Sequence, residues 1–188
     1  GKLLEEKWDA VFVGSGAPRG RDLDVPGRQE ARANIHIGID WLSSVSFGHI
    51  EKIGKRVIVL GGGNTAMDCC RSARRLGSSD VKVIVRSGFE EMKASPWEKE
   101  DAMHEGIPII NYHVPKAFVH QAGKLVGMNF EIVSAVYDAK GRRSLIPTGE
   151  LRPVRGTVFD FTRGRVLADG LRDGTDAQIR IGRGYDHN

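Results

Sequence analysis

Six consecutive residues, Gly61-Gly62-Gly63-Asn64-Thr65-Ala66, have the types and spacing that hold an anion on backbone amides. They fit a GxGxxA pattern, which carries meaning only with a strand before it, a helix after it and a second strand beyond. Gly61 then permits the tight turn. Gly63 lets the backbone approach a pyrophosphate with no Cβ in the way, and Ala66 lets the helix pack closely on the strand. The first helical turn leaves N–H groups without internal partners at the positive end of the helix dipole, so a phosphate is held without a dedicated cation. Side-chain hydrogen bonds from Asn64 and Thr65 are expected to add to them. The plain alternative is a glycine turn that only joins strand to helix, and the flanking segments decide between the two.

Those flanks have the required character. Arg56-Val57-Ile58-Val59-Leu60 is a β-branched apolar run, the pattern of a parallel strand buried on both faces. After the glycines, Ala66, Cys69, Cys70, Ala73 and Leu76 fall at helical spacing, Arg71, Arg74 and Arg75 take the other side, and Gly77 suits the position just past the helix end. Val81 to Val85 is a second strand, completing a right-handed βαβ crossover. The residue after that strand faces the adenosine ribose of a bound dinucleotide, where an acidic residue selects NAD. Here Arg86-Ser87 offers a guanidinium and a hydroxyl, which suit a 2′-phosphate, so NADP(H) is the expected ligand. A solvated arginine at a strand end is the plainer reading of the same residue.

Around this unit, Ala10 to Val13 reads as a buried strand running into the turn Gly14-Ser15-Gly16-Ala17, and Pro18 to Gly27 as a loop. A short helix is expected at Ile39 to Ser43, and Phe47 to Lys55 reads as a polar linker marking a domain boundary. Ser95-Pro96-Trp97-Glu98 is a capping box with proline at the first helical position, so a helix should run from Pro96 to Gly106. Ile107 to Tyr112 follows as a third strand. Beyond Pro115 the texture becomes an antiparallel meander, with turns near Gly123-Lys124 and at Asp138-Ala139-Lys140-Gly141. Leu151 to Asn188 has scattered glycines and no sustained period, so it is expected to be irregular.

Composition excludes several classes. Of 188 residues 40% are hydrophobic and 28% charged, as in ordinary globular chains. No apolar run approaches the roughly 20 residues of a membrane span, and the charged start Gly1-Lys2-Leu3-Leu4-Glu5-Glu6-Lys7 is unlike a signal peptide. A cytoplasmic location without membrane contact is therefore expected. The net charge of +4 forms no basic stripe, since seven arginines and five aspartates after Glu150 supply half of it, and nucleic acid is not an expected partner. Adjacent Cys69 and Cys70 cannot form an unstrained disulfide on a helix and read as reduced core thiols, and no CxxC spacing suggests a metal or cluster site. The histidines show no ligand spacing, and Glu90, Glu91, Glu98, Glu100, Asp101 and Glu105 read as solvated charges.

Val57 to Pro115 resembles the NADPH-binding domain of the glutamate synthase small subunit and its relatives among the pyridine nucleotide:flavin oxidoreductases. Carrying the likeness are Gly61-Gly62-Gly63-Asn64-Thr65-Ala66-Met67-Asp68-Cys69, Arg86 and Glu105-Gly106-Ile107; upstream, Asp9 to Ala17 and Val25-Pro26-Gly27 extend it to about Trp8 to Glu150. The resemblance implies an α/β fold, a Rossmann-like FAD/NAD(P)-binding domain with parallel sheet, crossover helices and β-meander. It implies cofactor contacts at Gly61, Gly62, Gly63, Asn64, Thr65, Arg86 and Ser87, with Gly14, Ser15 and Gly16 toward the flavin. In that family hydride passes from nicotinamide to FAD and on to an iron–sulfur or glutamine-amidotransferase-type large subunit, and the protein's part is positioning, so no acid, base or nucleophile is nominated. The implied division is a flavin-domain remnant over residues 1–46, the NAD(P)H domain over 47–150, and an irregular tail foreign to the family's pattern over 151–188. A first FAD fingerprint, cluster cysteines and the closing Gly-Asp motif are missing, so the chain alone is expected to bind nucleotide without turnover. A non-catalytic NADP(H)-binding or interaction module is the alternative function.

Overall fold

A computed structural model describes residue 8 and residues 23–160, with backbone alone for the last four. The expected strand at Ala10 to Val13 and the turn at Gly14, Ser15 and Gly16 lie outside the described residues. Five parallel strands form one sheet: β1 (Ile35–Ile37), β2 (Arg56–Leu60), β3 (Asp80–Ile84), β4 (Ile109–Ile110) and β8 (Thr157–Asp160), in the order β1-β8-β2-β3-β4. Three long strands, β5 (His113–Gln121), β6 (Lys124–Tyr137) and β7 (Arg143–Arg155), make an antiparallel sheet in chain order. The helices are α1 (Gly38–Ser46), α2 (Asn64–Arg75) and α3 (Pro96–His104).

β2 sits inside the parallel sheet because both of its faces are apolar, and alternate side chains go to opposite layers. Val57 and Val59 pack with Val81, Val83 and Val85 against α2 and α3, through Ala66, Met67, Cys70, Ala73 and Ala102. Ile58, Leu60 and Ile84 face the other way, onto Phe118, Met128 and Phe130 of the meander. The result is three layers, helices on sheet on sheet, and the glycine turn emerges at the carboxyl end of the central strands. Each fully buried aliphatic side chain of β2 contributes about 1.5–3 kcal/mol, so this strand anchors the turn that follows it.

The expected strand, glycine turn, helix and strand are all present, with β3 starting one residue earlier than expected. Gly77 has φ +95 and ends α2 as anticipated. Three expectations are corrected. The helix foreseen at Ile39 to Ser43 fills Gly38–Ser46, and β1 before it joins the parallel sheet; Trp41 is buried in the core beneath α2, so these residues pack within the parallel-sheet unit. The segment after Glu150 is not irregular as far as Asp160: β7 continues to Arg155, and β8 then enters the sheet between β1 and β2. The prolines of β7, Pro147 and Pro153, are tolerated because it is an edge strand paired only with β6.

The capping box is the third. α3 does start at Pro96, but no side-chain cap closes it. The Ser95 N–H that Glu98 should reach is taken by Asn64 Oδ1 at 2.8 Å, while Glu98 turns to Arg71 at 2.9 Å. A tertiary partner has displaced the local one.

Candidate functional site

Gly61 follows β2 with φ +135, a conformation that L side chains rarely adopt, and its N–H donates to the Ile84 carbonyl at 3.1 Å. The turn is thereby tied to the end of β3. Gly62 is fixed by packing, since a Cβ there would lie 3.1 Å from both Met92 Cγ and Val85 Cγ1. Its carbonyl accepts the Ala94 N–H at 2.9 Å, so the 86–95 loop is laced to the turn. Gly63 differs from both: its φ of −103 and ψ of 171 suit any residue, and an added Cβ would meet nothing within 4 Å. Among the described residues nothing requires a glycine there, and a side chain at this position would enter open space.

Gly63 is the N-cap of α2 and its carbonyl accepts from Ala66 and Met67 at 3.0 and 3.2 Å. Among the described residues no protein acceptor meets the N–H groups of Gly63, Asn64 or Thr65. These are the orphan donors of a helix start, and the open space at Gly63 lies at the same turn. The Asn64 side chain is engaged with Ser95, so Asn64 brings its backbone N–H rather than its amide to an anion. Thr65 is exposed with its hydroxyl unengaged among the described residues.

Arg86 and Ser87 lie one strand away, just beyond β3. Arg86 is exposed and pairs with no carboxylate among the described residues. Ser87 is fixed through its carbonyl, which accepts from Asn111 Nδ2 at 2.9 Å and the Tyr112 N–H at 3.4 Å. The glycine turn and Arg86 therefore border the same end of the sheet, as the sequence spacing required.

Residues not singled out in the sequence hold this loop in place. Glu91 is not simply solvated: it accepts from the Gly88 N–H at 2.9 Å and binds Tyr137 and Arg143, joining the loop to the β6–β7 hairpin. Lys99, only 6% exposed, donates to the Phe89 carbonyl at 3.2 Å and stands 4.4 Å over the Phe89 ring. Lys93 is exposed between Met92 and Ala94, the two residues that touch Gly62. Glu98, Asp101 and Glu105 are likewise engaged, converging on Arg71 at 2.8–2.9 Å and fastening α3 to α2. Burial alone would raise the Glu105 carboxyl, but hydrogen bonds from Arg71 and Arg75 outweigh it and hold it below the usual range.

Cys69 and Cys70 are free and buried, as expected for core thiols. Burial is the main cause that pushes both thiols up, that of Cys70 to about 12 and that of Cys69 further, so neither is a nucleophile near neutrality. Among the described residues no helix is long and apolar enough to cross a membrane, and no group of histidines, cysteines and carboxylates could hold a metal.

A family model described as pyridine nucleotide-disulphide oxidoreductase matches residues 1–143. The chain belongs to that family. Its cofactor classes, NADP(H) and FAD, are those to which the sequence pointed. Within the family the chain is 34% identical over 159 residues to the NADPH-Fe(3+) oxidoreductase subunit beta of Geobacter sulfurreducens, covering 83% of this chain and 23% of that protein. It is also 34% identical over 153 residues to the glutamate synthase [NADPH] small chain of Azospirillum brasilense, covering 75% of this chain and 31% of the relative. The chain thus spans less than a third of the length of either family member. Mycobacterium tuberculosis FprA in complex with NADPH shares the fold, with a TM-score of 0.63 at 19% identity over 84% of this chain and 50% of that one.

Proposed function

We propose that this chain is the dinucleotide-holding part of an NAD(P)H-dependent flavin oxidoreductase, and that its ligand is NADP(H) rather than NAD(H). One observation carries the reading: among the described residues the N–H groups of Gly63, Asn64 and Thr65 meet no acceptor, and none of those residues fills the space beside Gly63. A pyrophosphate laid there meets the helix start with its dipole and donors already oriented. Arg86, with Ser87 beside it, takes the 2′-phosphate, and Lys93 adds a second cation on the loop above the turn. When bound, the nicotinamide supplies hydride for a flavin; the residues described here bind and orient it.

Glutamate synthase-type or metal-reducing specificity, an iron–sulfur or amidotransferase partner subunit, FAD contacts at Gly14, Ser15 and Gly16, and a cytoplasmic location belong to the same proposal. The names of the relatives support the first of these, and their being subunits supports a partner subunit. The nucleotide-binding unit is proposed to run from residue 35 to residue 160, because β1 and β8 both pair within its sheet.

Calorimetry with NADPH and NADH tests the reading. A charge-assisted contact of roughly 1.5–3 kcal/mol gives NADPH an advantage of about ten- to a hundredfold, and Arg86→Ala should abolish it while leaving NADH binding unchanged. Equal binding of the two before mutation would refute the role of Arg86. Tight nucleotide binding with no flavin absorbance on addition of FAD would favour a binding module.

A further inference from the structure

The 86–95 loop carries both residues assigned to the 2′-phosphate. An arginine on a loose loop would gain little from one anionic partner, because ordering the loop offsets the contact. The backbone under Arg86 is not loose. Before it, the Val85 carbonyl accepts the His113 N–H at 3.1 Å; after it, the Ser87 carbonyl accepts from Asn111 Nδ2 at 2.9 Å. Gly88 is buried, while the Arg86 side chain stays exposed.

Tyr112 shows that this corner is held against a conformational cost. Its φ of 58 puts a bulky residue in the left-handed region, which persists only where the surroundings over-determine it. They do so here. The Tyr112 carbonyl accepts the Val133 N–H of β6 at 2.9 Å, and its hydroxyl covers the α-carbon of Gly88, where an added Cβ would lie 2.5 Å from that oxygen. The Gly88 N–H in turn donates to Glu91 Oε2 at 2.9 Å.

Glu91 takes its own geometry from outside the loop. Tyr137 donates to Oε1 and Arg143 to Oε2, so the carboxylate is clamped by two residues that pair across β6 and β7 next to the hairpin turn. That turn is braced in its own right, since Asp138 accepts the N–H groups of Lys140 and Arg142 at 2.9 Å each. Arg143 also offsets the Glu91 charge, which would otherwise oppose a phosphate bound at the loop.

We propose that Glu91 is a positioning residue for NADP(H) selection: held by Tyr137 and Arg143 of the β6–β7 hairpin, it pins the Gly88 N–H and thereby fixes the backbone of Arg86 and Ser87, from which the 2′-phosphate is met. The meander then serves nucleotide specificity as well as covering the parallel sheet. This inference rests on the reading of Arg86 as the 2′-phosphate ligand. NADH, which has no such phosphate, is indifferent to it.

Calorimetry on the whole chain with NADPH and NADH tests it, in wild type, Glu91→Ala, Glu91→Gln, Arg86→Ala and the Arg86→Ala/Glu91→Ala double variant. Glu91→Ala should weaken NADPH by roughly three- to tenfold, the effect of having to order the loop on binding, and leave NADH within about twofold of wild type. Glu91→Gln keeps an acceptor for the Gly88 N–H and should recover most of the loss. In the Arg86→Ala background Glu91→Ala should weaken NADPH no further, which a general loosening of the fold would not reproduce. Should Glu91→Ala fold poorly, Tyr137→Phe removes one hydroxyl from the clamp and should lose at least about twofold for NADPH alone. Unchanged or tighter NADPH binding, equal losses for the two nucleotides, or additive losses in the double variant would overturn the inference. If Arg86→Ala leaves the NADPH preference intact, the 2′-phosphate reading falls and this inference with it; a preference lost with Arg86 but indifferent to Glu91 overturns this inference alone.

Discussion

Replacing Gly63 by alanine separates a glycine needed by the fold from one needed by a ligand. The backbone of Gly63 is extended, and among the described residues no atom lies within 4 Å of the new methyl group. Two small effects on stability oppose each other. Alanine restricts the unfolded chain, which stabilises by about 0.4–1 kcal/mol, and it is a poorer N-cap than glycine by a similar amount. The melting temperature should therefore move by less than about 3 °C. Binding should respond very differently, because the methyl group enters the open space at the turn whose three N–H groups meet no acceptor among the described residues. Loss of one charge-assisted hydrogen bond, roughly 1.5–3 kcal/mol, weakens NADPH by about ten- to a hundredfold. A thermal melt and an NADPH titration on the same preparation read both quantities. Unchanged affinity with an unchanged melt would refute the argument, since the pyrophosphate would then approach elsewhere.

Two further outcomes concern the scaffold. Glu105 has its folded carboxyl held below the ordinary 4.5, so its stabilisation is present above that pH and is lost as pH falls through the lower folded value. Glu105→Gln should cost about 1 kcal/mol at pH 7 in urea unfolding, and the difference from wild type should shrink below about pH 4; a constant difference would exclude charge as the cause. Gly127→Ala would place a Cβ 2.2 Å from the Val154 carbonyl oxygen, a backbone atom that cannot step aside. It should destabilise by at least about 3 kcal/mol, a fall on the order of 10 °C in Tm, and a melt within 2–3 °C of wild type would contradict the close pairing of β6 and β7.

The βαβ unit was legible in the sequence because each of its signals is local. Apolar runs mark β2 and β3, three glycines mark the turn, and Gly77 closes the helix. Arg86 followed from a spacing rule, and the structure puts it at the same sheet end as the turn. What escaped notice depends on distant partners. β7 carries Pro147, Gly149 and Pro153, residue types that weaken a strand, yet as an edge strand it needs only one partner. β8 is four residues long and takes its place through pairing with β1 and β2, which no local pattern encodes. The capping box failed because Asn64, thirty-one residues earlier, competes for the Ser95 N–H. Glu91 read as a solvated charge and Lys99 drew no reading, and only the folded chain shows them holding the loop beside the turn.

An amide NMR titration of the chain with NADPH reads the donors of the turn one by one. The backbone resonances of Gly63, Asn64 and Thr65 should move furthest, with that of Arg86 following for NADPH and not for NADH. Saturation with those three amides unmoved would contradict the account, because the donors it rests on would then face no phosphate.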